Sequence, residues 1–184
     1  MRGWPVLENL TVMGKPRLED LRGHGATAVV SVCKKGTDPE VLAASGVEYV
    51  YLPIPDGKRV PVDLFEEARA AVERLLDAGH HVVVHCLAGR NRSATVAALV
   101  VRSRCRVSGA AALAHVRARR PNAVANPVFE AYLRELPRPQ YGQKGQMLPN
   151  TDSPTSPDLS TAKCCQILTH RPHPTSVRPN VAKY

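Results

Sequence analysis

Long apolar runs are absent from this sequence of 184 residues. The longest, residues 94–101, is interrupted by Thr95 and is much shorter than the roughly 20 residues that a helix needs to span a bilayer. We therefore expect no transmembrane helix. Residues 1–5 also lack the apolar core of a secretion signal, so we do not expect secretion.

Metal-ligand spacing is absent as well. The five cysteines stand at positions 33, 86, 105, 164 and 165, and no pair has the spacing of a zinc site. The sequence therefore predicts neither a bound metal nor another cofactor. Because an odd number of cysteines does not make a complete disulfide framework, we expect reduced thiols and a cytoplasmic protein, with the nucleus as the alternative location.

The composition is that of a globular protein with an unusual last quarter. Hydrophobic residues make up 43% of the chain and charged residues 22%, which excludes a wholly disordered or fibrous protein. The net charge of +9 predicts an acidic partner, such as a phosphate group, a nucleic acid or an anionic lipid. Residues 137–184 hold eight of the 16 prolines, and six Lys or Arg against two acidic residues. We therefore predict a folded domain over residues 1–136 and a basic, proline-rich, disordered tail over residues 137–184.

Strand and helix patterns alternate along the predicted domain. Continuous β-branched runs at residues 27–33 and 81–85 predict strands that are buried on both faces, and shorter strands are expected at 10–13 and 47–52. Asp63, with Glu66 three residues later, is expected to cap the long helix that precedes the 81–85 strand. The pattern predicts an α/β fold with a central, largely parallel sheet of four to five strands and helices on both faces.

One segment, residues 84–93, places a cysteine where such sheets bind their ligands, at the carboxyl end of a strand. That residue is Cys86, and Arg92 begins an apolar helix after a loop. The loop residues are Leu87, Ala88, Gly89, Arg90 and Asn91. If the loop curls so that its N–H groups point inward, it forms a nest for a phosphate, and Arg92 can bind two phosphate oxygens. We expect the same positive field to lower the pKa of the Cys86 thiol and make it a nucleophile.

The string Cys-x5-Arg-Ser resembles the signature loop of the protein tyrosine phosphatase superfamily. Residues 85–95, His-Cys-Leu-Ala-Gly-Arg-Asn-Arg-Ser-Ala-Thr, are similar to that loop in the small dual-specificity phosphatases. The resemblance covers residues 8–136 and implies one compact α/β domain with a shallow, phosphate-sized cleft and no metal. It also implies that Cys86 is the nucleophile, that Arg92 is the phosphate clamp, that Ser93 stabilises the departing thiolate and that Asp56 is the general acid.

Asp56 is also a candidate on chemical grounds, because breaking a phosphomonoester requires a proton on the leaving oxygen. It lies in the segment Ile-Pro-Asp-Gly, residues 54–57, which follows a predicted strand and so faces the sheet edge where Cys86 emerges. Asp38 and Asp63 are the alternatives, but both are expected to begin helices. The segment Pro-Ile-Pro-Asp-Gly is also similar to the acid loop of the kinase-associated, cyclin-dependent-kinase-type phosphatases.

Two residues near the expected cleft allow more than one interpretation. Cys33 ends a predicted strand, and it is either an inert buried thiol or a redox partner that forms a reversible disulfide with Cys86. Arg90 is either a solvated charge or a substrate contact that favours multiply anionic substrates such as phosphoinositides. The arginines at 117, 119 and 120 are expected to form a solvated helix end, with nucleic-acid binding as the alternative.

Together these features predict a cysteine-dependent phosphomonoester hydrolase. We expect it to act on phosphotyrosine and on phosphoserine or phosphothreonine in proteins, through a phosphocysteine intermediate. The alternatives are a phosphatase for phosphoinositides or RNA 5′ ends with the same site, and a pseudophosphatase that binds phosphoproteins without turnover. The expected partner is a phosphorylated protein, no nucleic acid is required, and a monomer is favoured.

Overall fold

The computed structural model describes residues 2–34, 36 and 38–140 of the chain. Five strands and six helices follow one another in these residues. They are β1 (Gly3–Leu7), β2 (Leu10–Met13), α1 (Leu18–Gly23), β3 (Ala28–Ser31), α2 (Pro39–Ala44), β4 (Glu48–Tyr51), α3 (Val62–Asp77), β5 (Val82–His85), α4 (Arg92–Arg104), α5 (Gly109–Arg119) and α6 (Pro127–Glu135).

The strands form one sheet in the order β1-β2-β5-β3-β4. β1 is antiparallel to β2, and all the other neighbours are parallel. The last residues of the parallel strands lie in register, with His85 of β5 between Met13 of β2 and Ser31 of β3. Their carboxyl ends therefore meet at one edge of the sheet, with β5 at the centre of that edge. The predicted α/β fold with a largely parallel sheet is confirmed.

Both faces of the sheet are buried, which explains the continuous Val runs in the sequence. Successive side chains of a strand point to opposite faces, so Val82 and Val84 belong to one hydrophobic cluster and Val83 to the other. The larger cluster packs under α3, α4, α5 and α6, and the smaller one lies under α1 and α2. Helix α4 is buried over residues 93–101 and is therefore the central helix of the larger layer.

One strand was not predicted, and one expectation about local structure is wrong. No strand was predicted before residue 10, but Gly3–Leu7 form the edge strand β1, and an edge tolerates its proline. Asp63 does not cap α3: the helix begins at Val62 after Pro61, and the Phe65 N–H already donates to the Pro61 carbonyl at 3.1 Å. Asp63 therefore lies inside the first turn, where its charge still suits the helix dipole.

Most of the predicted tail, residues 141–184, lies outside the described residues. The last described residues continue from α6, and the Pro137 carbonyl accepts a hydrogen bond from Nε of Arg102 at 3.0 Å. No helix within residues 2–34, 36 and 38–140 has the length and hydropathy that a membrane crossing needs.

Candidate active site

Cys86 lies directly after β5, between the buried strand and the loop that leads into α4. Its side chain is buried, and the Ser93 hydroxyl donates a hydrogen bond to its Sγ at 3.2 Å. Burial alone would raise the pKa of this thiol. The hydroxyl and backbone N–H of Ser93, the backbone N–H of Arg90 and the charge of Arg92 outweigh that effect, so the pKa lies below its ordinary value. The sulfur is therefore predisposed to be a thiolate.

The phosphate loop, residues 87–91, turns its five carbonyls outward, and each of them is bound. The Leu87 carbonyl accepts the Lys15 N–H at 3.0 Å, and the Arg90 carbonyl accepts the Val124 N–H at 2.7 Å. The Asn91 carbonyl accepts both the N–H of Thr95 at 2.8 Å and its hydroxyl at 2.9 Å. The carbonyls of residues 88 and 89 both accept from the guanidinium of Arg120. With the carbonyls held outward, the loop N–H groups are left to face the inside of the loop, which is the arrangement of an anion nest.

Gly89 is the loop position that no other residue could occupy without strain. Its φ is +63°, and a Cβ at this residue would lie 2.5 Å from the carbonyl carbon of Met13 and 2.6 Å from the N of Gly14. The loop thus passes directly against the end of β2. A side chain here would push the loop away from the sheet edge, so glycine is required by both conformation and space.

Arg92 reaches across the loop from the first turn of α4. Its Nη1 donates to the Ile54 carbonyl at 3.3 Å, and its Nε lies 3.5 Å from Oδ2 of Asp56. The side chain is only 13% exposed, so the guanidinium is held by its surroundings rather than by solvent. A planar guanidinium fixed beside an N–H nest can bind two oxygens of a phosphate.

Asp56 is held over the loop by amide groups. Asn91 Nδ2 donates to its Oδ2 at 3.1 Å, and Asn126 Nδ2 donates to its Oδ1 at 3.0 Å. Asn126 Nδ2 also donates to the Gly57 carbonyl at 3.0 Å, so one side chain anchors both the carboxylate and the backbone beside it. The rival Asp38 has another task, because its carboxylate accepts the Glu40 N–H at the start of α2 at 3.0 Å. Of the three aspartates considered from the sequence, Asp56 is the one in contact with Arg92.

His85, the last residue of β5, makes a hydrogen bond to the backbone at the start of the loop. Its Nδ1–H donates to the Cys86 carbonyl at 3.3 Å, and the side chain is fully buried. Burial, with a smaller contribution from the nearby Lys15 charge, lowers the pKa of His85 to about 4 against the opposing effect of the Cys86 carbonyl. The imidazole is therefore neutral at neutral pH and acts as a hydrogen-bond donor to the backbone of Cys86.

Cys33 follows β3, which lies next to β5. The Val32 N–H donates to the His85 carbonyl at 2.9 Å, so the residues that precede the two cysteines are directly paired. Both cysteines are buried in the same hydrophobic cluster, and no disulfide joins them. The adjacency that a redox pair requires is present, and the pairing itself stays a prediction.

The arginines at the end of α5 are not a solvated helix end, contrary to expectation. Arg117 forms a bidentate pair with Glu130 at 2.9 and 2.7 Å, and Arg119 Nη1 lies 3.1 Å from Nδ1 of His115. Arg120 lies behind the phosphate loop. The sequence carried no signal for the contacts of Arg117 and Arg120, because their partners lie in other elements, whereas Arg119 and His115 are four residues apart within α5. Asn126 also caps α6, because its Oδ1 accepts the Val128 N–H at 3.0 Å.

Comparisons with known proteins agree with this arrangement. The family model "Dual specificity phosphatase, catalytic domain" matches residues 12–138. Protein tyrosine phosphatase type IVA 3 of Homo sapiens is 36% identical over 86 residues, which are 46% of this chain and 50% of the relative. The corresponding protein of Bos taurus is 35% identical over 86 residues with the same coverage. The chain thus spans about half the length of the curated relatives it matches.

Solved structures extend the likeness over the whole described domain. Human DUSP28 is 30% identical, with a TM-score of 0.60, over 71% of this chain and 92% of that chain. The active form of Tk-PTP is 26% identical, with a TM-score of 0.66, over 73% of this chain and 95% of that chain. The matched family model includes Asp56, Cys86 and Arg92 and covers more than half of the sequence. The chain therefore belongs to the dual specificity phosphatase family, within the protein tyrosine phosphatase superfamily.

Proposed function

We propose that this protein hydrolyses phosphomonoesters on phosphotyrosine and on phosphoserine or phosphothreonine of protein substrates, with Cys86 as the nucleophile. The observation that carries the proposal is the environment of the Cys86 sulfur. It is buried at the mouth of an N–H nest, accepts the Ser93 hydroxyl at 3.2 Å and has a lowered pKa. Family membership supports the phosphatase chemistry, and the phosphorylated residues on which the protein acts are part of our proposal.

In the first step, the Cys86 thiolate attacks phosphorus, and the bond between phosphorus and the leaving oxygen breaks. Asp56, in its protonated form, donates its proton to that oxygen, so an alcohol or a phenol departs. The N–H groups of the loop and the guanidinium of Arg92 stabilise the charge on the three other phosphate oxygens. The products are a phosphocysteine and the Asp56 carboxylate.

In the second step, the Asp56 carboxylate takes a proton from a water molecule whose oxygen attacks phosphorus. The bond between sulfur and phosphorus breaks, inorganic phosphate is released and the thiolate of Cys86 is restored. The Ser93 hydroxyl favours this departure because it donates to the sulfur as its charge returns. The contacts from Asn91 and Asn126 keep Asp56 in place for both proton transfers.

The test is turnover on matched substrates: phosphotyrosine and phosphothreonine peptides, a phosphoinositide, and RNA with a 5′-triphosphate. We expect hydrolysis of the peptides, none by Cys86→Ser, and a phosphorylated Cys86 trapped by rapid acid quench. Arg92→Lys should lose about 10²-fold or more in kcat, because a point charge does not replace a planar, two-donor group. A wild-type protein that binds phosphopeptides without turnover would instead be a pseudophosphatase.

One observation favours a second candidate, a phosphatase for lipid or RNA phosphates. Lys15 and Lys34 follow β2 and β3, the two strands that flank β5, and both line a groove of about 570 Å³ with Tyr49 and Tyr51. The ammonium groups of Lys15 and Lys34 would attract the additional negative charges of a polyanionic substrate. This candidate predicts that Lys15→Gln or Lys34→Gln lowers kcat/KM on phosphoinositide or RNA more than on a small aryl phosphate. Arg22→Gln, an exposed charge at the end of α1, is the control.

A further inference from the structure

Arg120 holds the two central peptide groups of the phosphate loop with one side chain. Its Nη2 donates to the Ala88 carbonyl at 3.0 Å, and its Nε donates to the Gly89 carbonyl at 2.5 Å. The other three loop carbonyls accept from backbone N–H groups of residues 15, 124 and 95. The middle of the loop thus depends on a side chain, whereas its ends depend on backbone.

The orientation of these two peptide groups decides what the inside of the loop presents. In a planar trans peptide, the carbonyl and the following N–H point in opposite directions. A Gly89 carbonyl that is held outward therefore sends the Arg90 N–H inward, and that N–H is one of the groups that lower the pKa of Cys86. The Ala88 carbonyl fixes the Gly89 N–H in the same way. Because glycine tolerates many backbone conformations, nothing in Gly89 itself prevents these peptide groups from rotating.

Trp4 holds Arg120 from the other side. The guanidinium carbon of Arg120 lies 3.9 Å from the centre of the Trp4 ring, which is the geometry of a cation–π contact. Trp4 belongs to β1, and Arg120 directly follows α5, so the contact joins two parts of the fold behind the loop. The ring covers one face of the guanidinium and leaves the donors along its edge for the loop carbonyls. Burial lowers the pKa of Arg120, and the Cys86 thiolate raises it, which places the two charges within electrostatic reach.

We propose that Trp4 and Arg120 are a positioning pair that presets the phosphate loop: the indole ring orients the guanidinium, and the guanidinium orients the peptide groups that bind phosphate and the Cys86 thiolate. The inference deepens the proposed phosphatase function and rests on it. Neither residue touches the substrate in this proposal. Trp4 also precedes residues 12–138, the span of the family match, so this half of the pair lies outside what the family comparison covers.

The test compares Arg120→Lys, Trp4→Leu and Trp4→Phe with the full-length wild type, and uses Arg104→Lys as the control. Arg104 is the last residue of α4, at the end opposite the loop, and it pairs with Asp77. Three quantities are measured: the Kd for inorganic phosphate, the rate of iodoacetamide alkylation of Cys86 against pH, and the melting temperature. None of them requires turnover.

For Arg120→Lys we expect roughly a 10- to 100-fold weaker Kd for phosphate, the usual effect of losing charge-assisted hydrogen bonds. The alkylation profile of Cys86 should move to higher pH, because the Arg90 N–H is no longer held on the sulfur. Trp4→Leu should move both quantities in the same direction by less, and Trp4→Phe should restore them because it keeps an aromatic face. Arg104→Lys should change the melting temperature at most.

A merely structural role gives a different result. If Arg120→Lys and Trp4→Leu lower the melting temperature but leave the phosphate Kd and the alkylation profile unchanged, the positioning proposal is wrong. If Arg120→Lys does not fold, the Trp4 variants decide alone, because Trp4 touches the loop only through Arg120 in this proposal. If the wild type turns over no phosphomonoester while the variants still shift the alkylation profile, the proposed function fails and the positioning pair stands.

Discussion

The hydrogen bond from Ser93 to Cys86 makes a quantitative prediction. Ser93→Ala removes the hydroxyl that donates to Sγ at 3.2 Å but keeps the backbone N–H of residue 93 and the charge of Arg92. Burial raises the pKa of Cys86, and the donors lower it. The loss of one donor therefore raises the pKa of the thiol, and less thiolate is present at any pH below it.

The size of the effect follows from the bond that is lost. A hydrogen bond to a charged group contributes about 1.5–3 kcal/mol, and each 1.4 kcal/mol is tenfold in an equilibrium constant. At a pH below the pKa, the thiolate fraction should therefore fall by about 10- to 100-fold. At a pH well above the pKa of both proteins, both thiols are ionised and the two proteins should react at similar rates.

Alkylation by iodoacetamide measures this directly, because only the thiolate reacts at an appreciable rate. Peptide mass spectrometry reports Cys86 separately from the other four cysteines of the chain. Ser108→Ala is the matched control, since its hydroxyl caps α5 by accepting the Ala111 N–H at 3.3 Å and is not one of the groups that shift the pKa of Cys86. We expect the control to lower the melting temperature without moving the alkylation curve. Superimposed curves for Ser93→Ala and wild type would refute the reasoning.

Three further predictions concern the surroundings of the nucleophile. Asp56→Ala should lower kcat by roughly 10²–10⁴-fold, and by less on a substrate with an acidic leaving group; Asp63→Ala should not, and the reverse pattern would reassign the acid. Because the pKa of His85 is about 4 when folded and 6.5 when exposed, the unfolded chain takes up the extra proton as the pH falls through this range. The free energy of unfolding should therefore fall by up to about 3 kcal/mol below pH 6.5, and urea titrations of His85→Gln should lack that part of the loss. Peroxide-inactivated wild type should recover with a thiol reductant, whereas Cys33→Ser should not; equal recovery would leave Cys33 as core.

The parts of the site that are local in sequence were predictable. The Val run of β5, the cysteine after it and the helix that begins at Arg92 lie within one short segment, and each has a clear pattern. The fold was predictable for the same reason, since β3 and β5 are continuous apolar strands and α4 is apolar nearly all round. The edge strand β1 was missed because its Gly3 and Pro5 are residues typical of turns. An edge strand tolerates them, but the sequence does not show which strand will lie at an edge of the folded sheet.

The residues that hold the site in place were not predictable, for a physical reason. A loop carbonyl accepts any donor that the fold brings to it, so the sequence around the acceptor says nothing about the identity of the donor. The Gly89 carbonyl accepts a hydrogen bond from Arg120, which is 31 residues away in the sequence. The Asp56 carboxylate accepts one from Asn126, which is 70 residues away. The short motif thus specifies which groups react, whereas the distant partners specify how rigidly those groups are held. If that division is correct, variants of Cys86 or Arg92 should abolish turnover. Variants of Arg120 or Asn126 should lower the turnover rate only in part, and the protein should still fold.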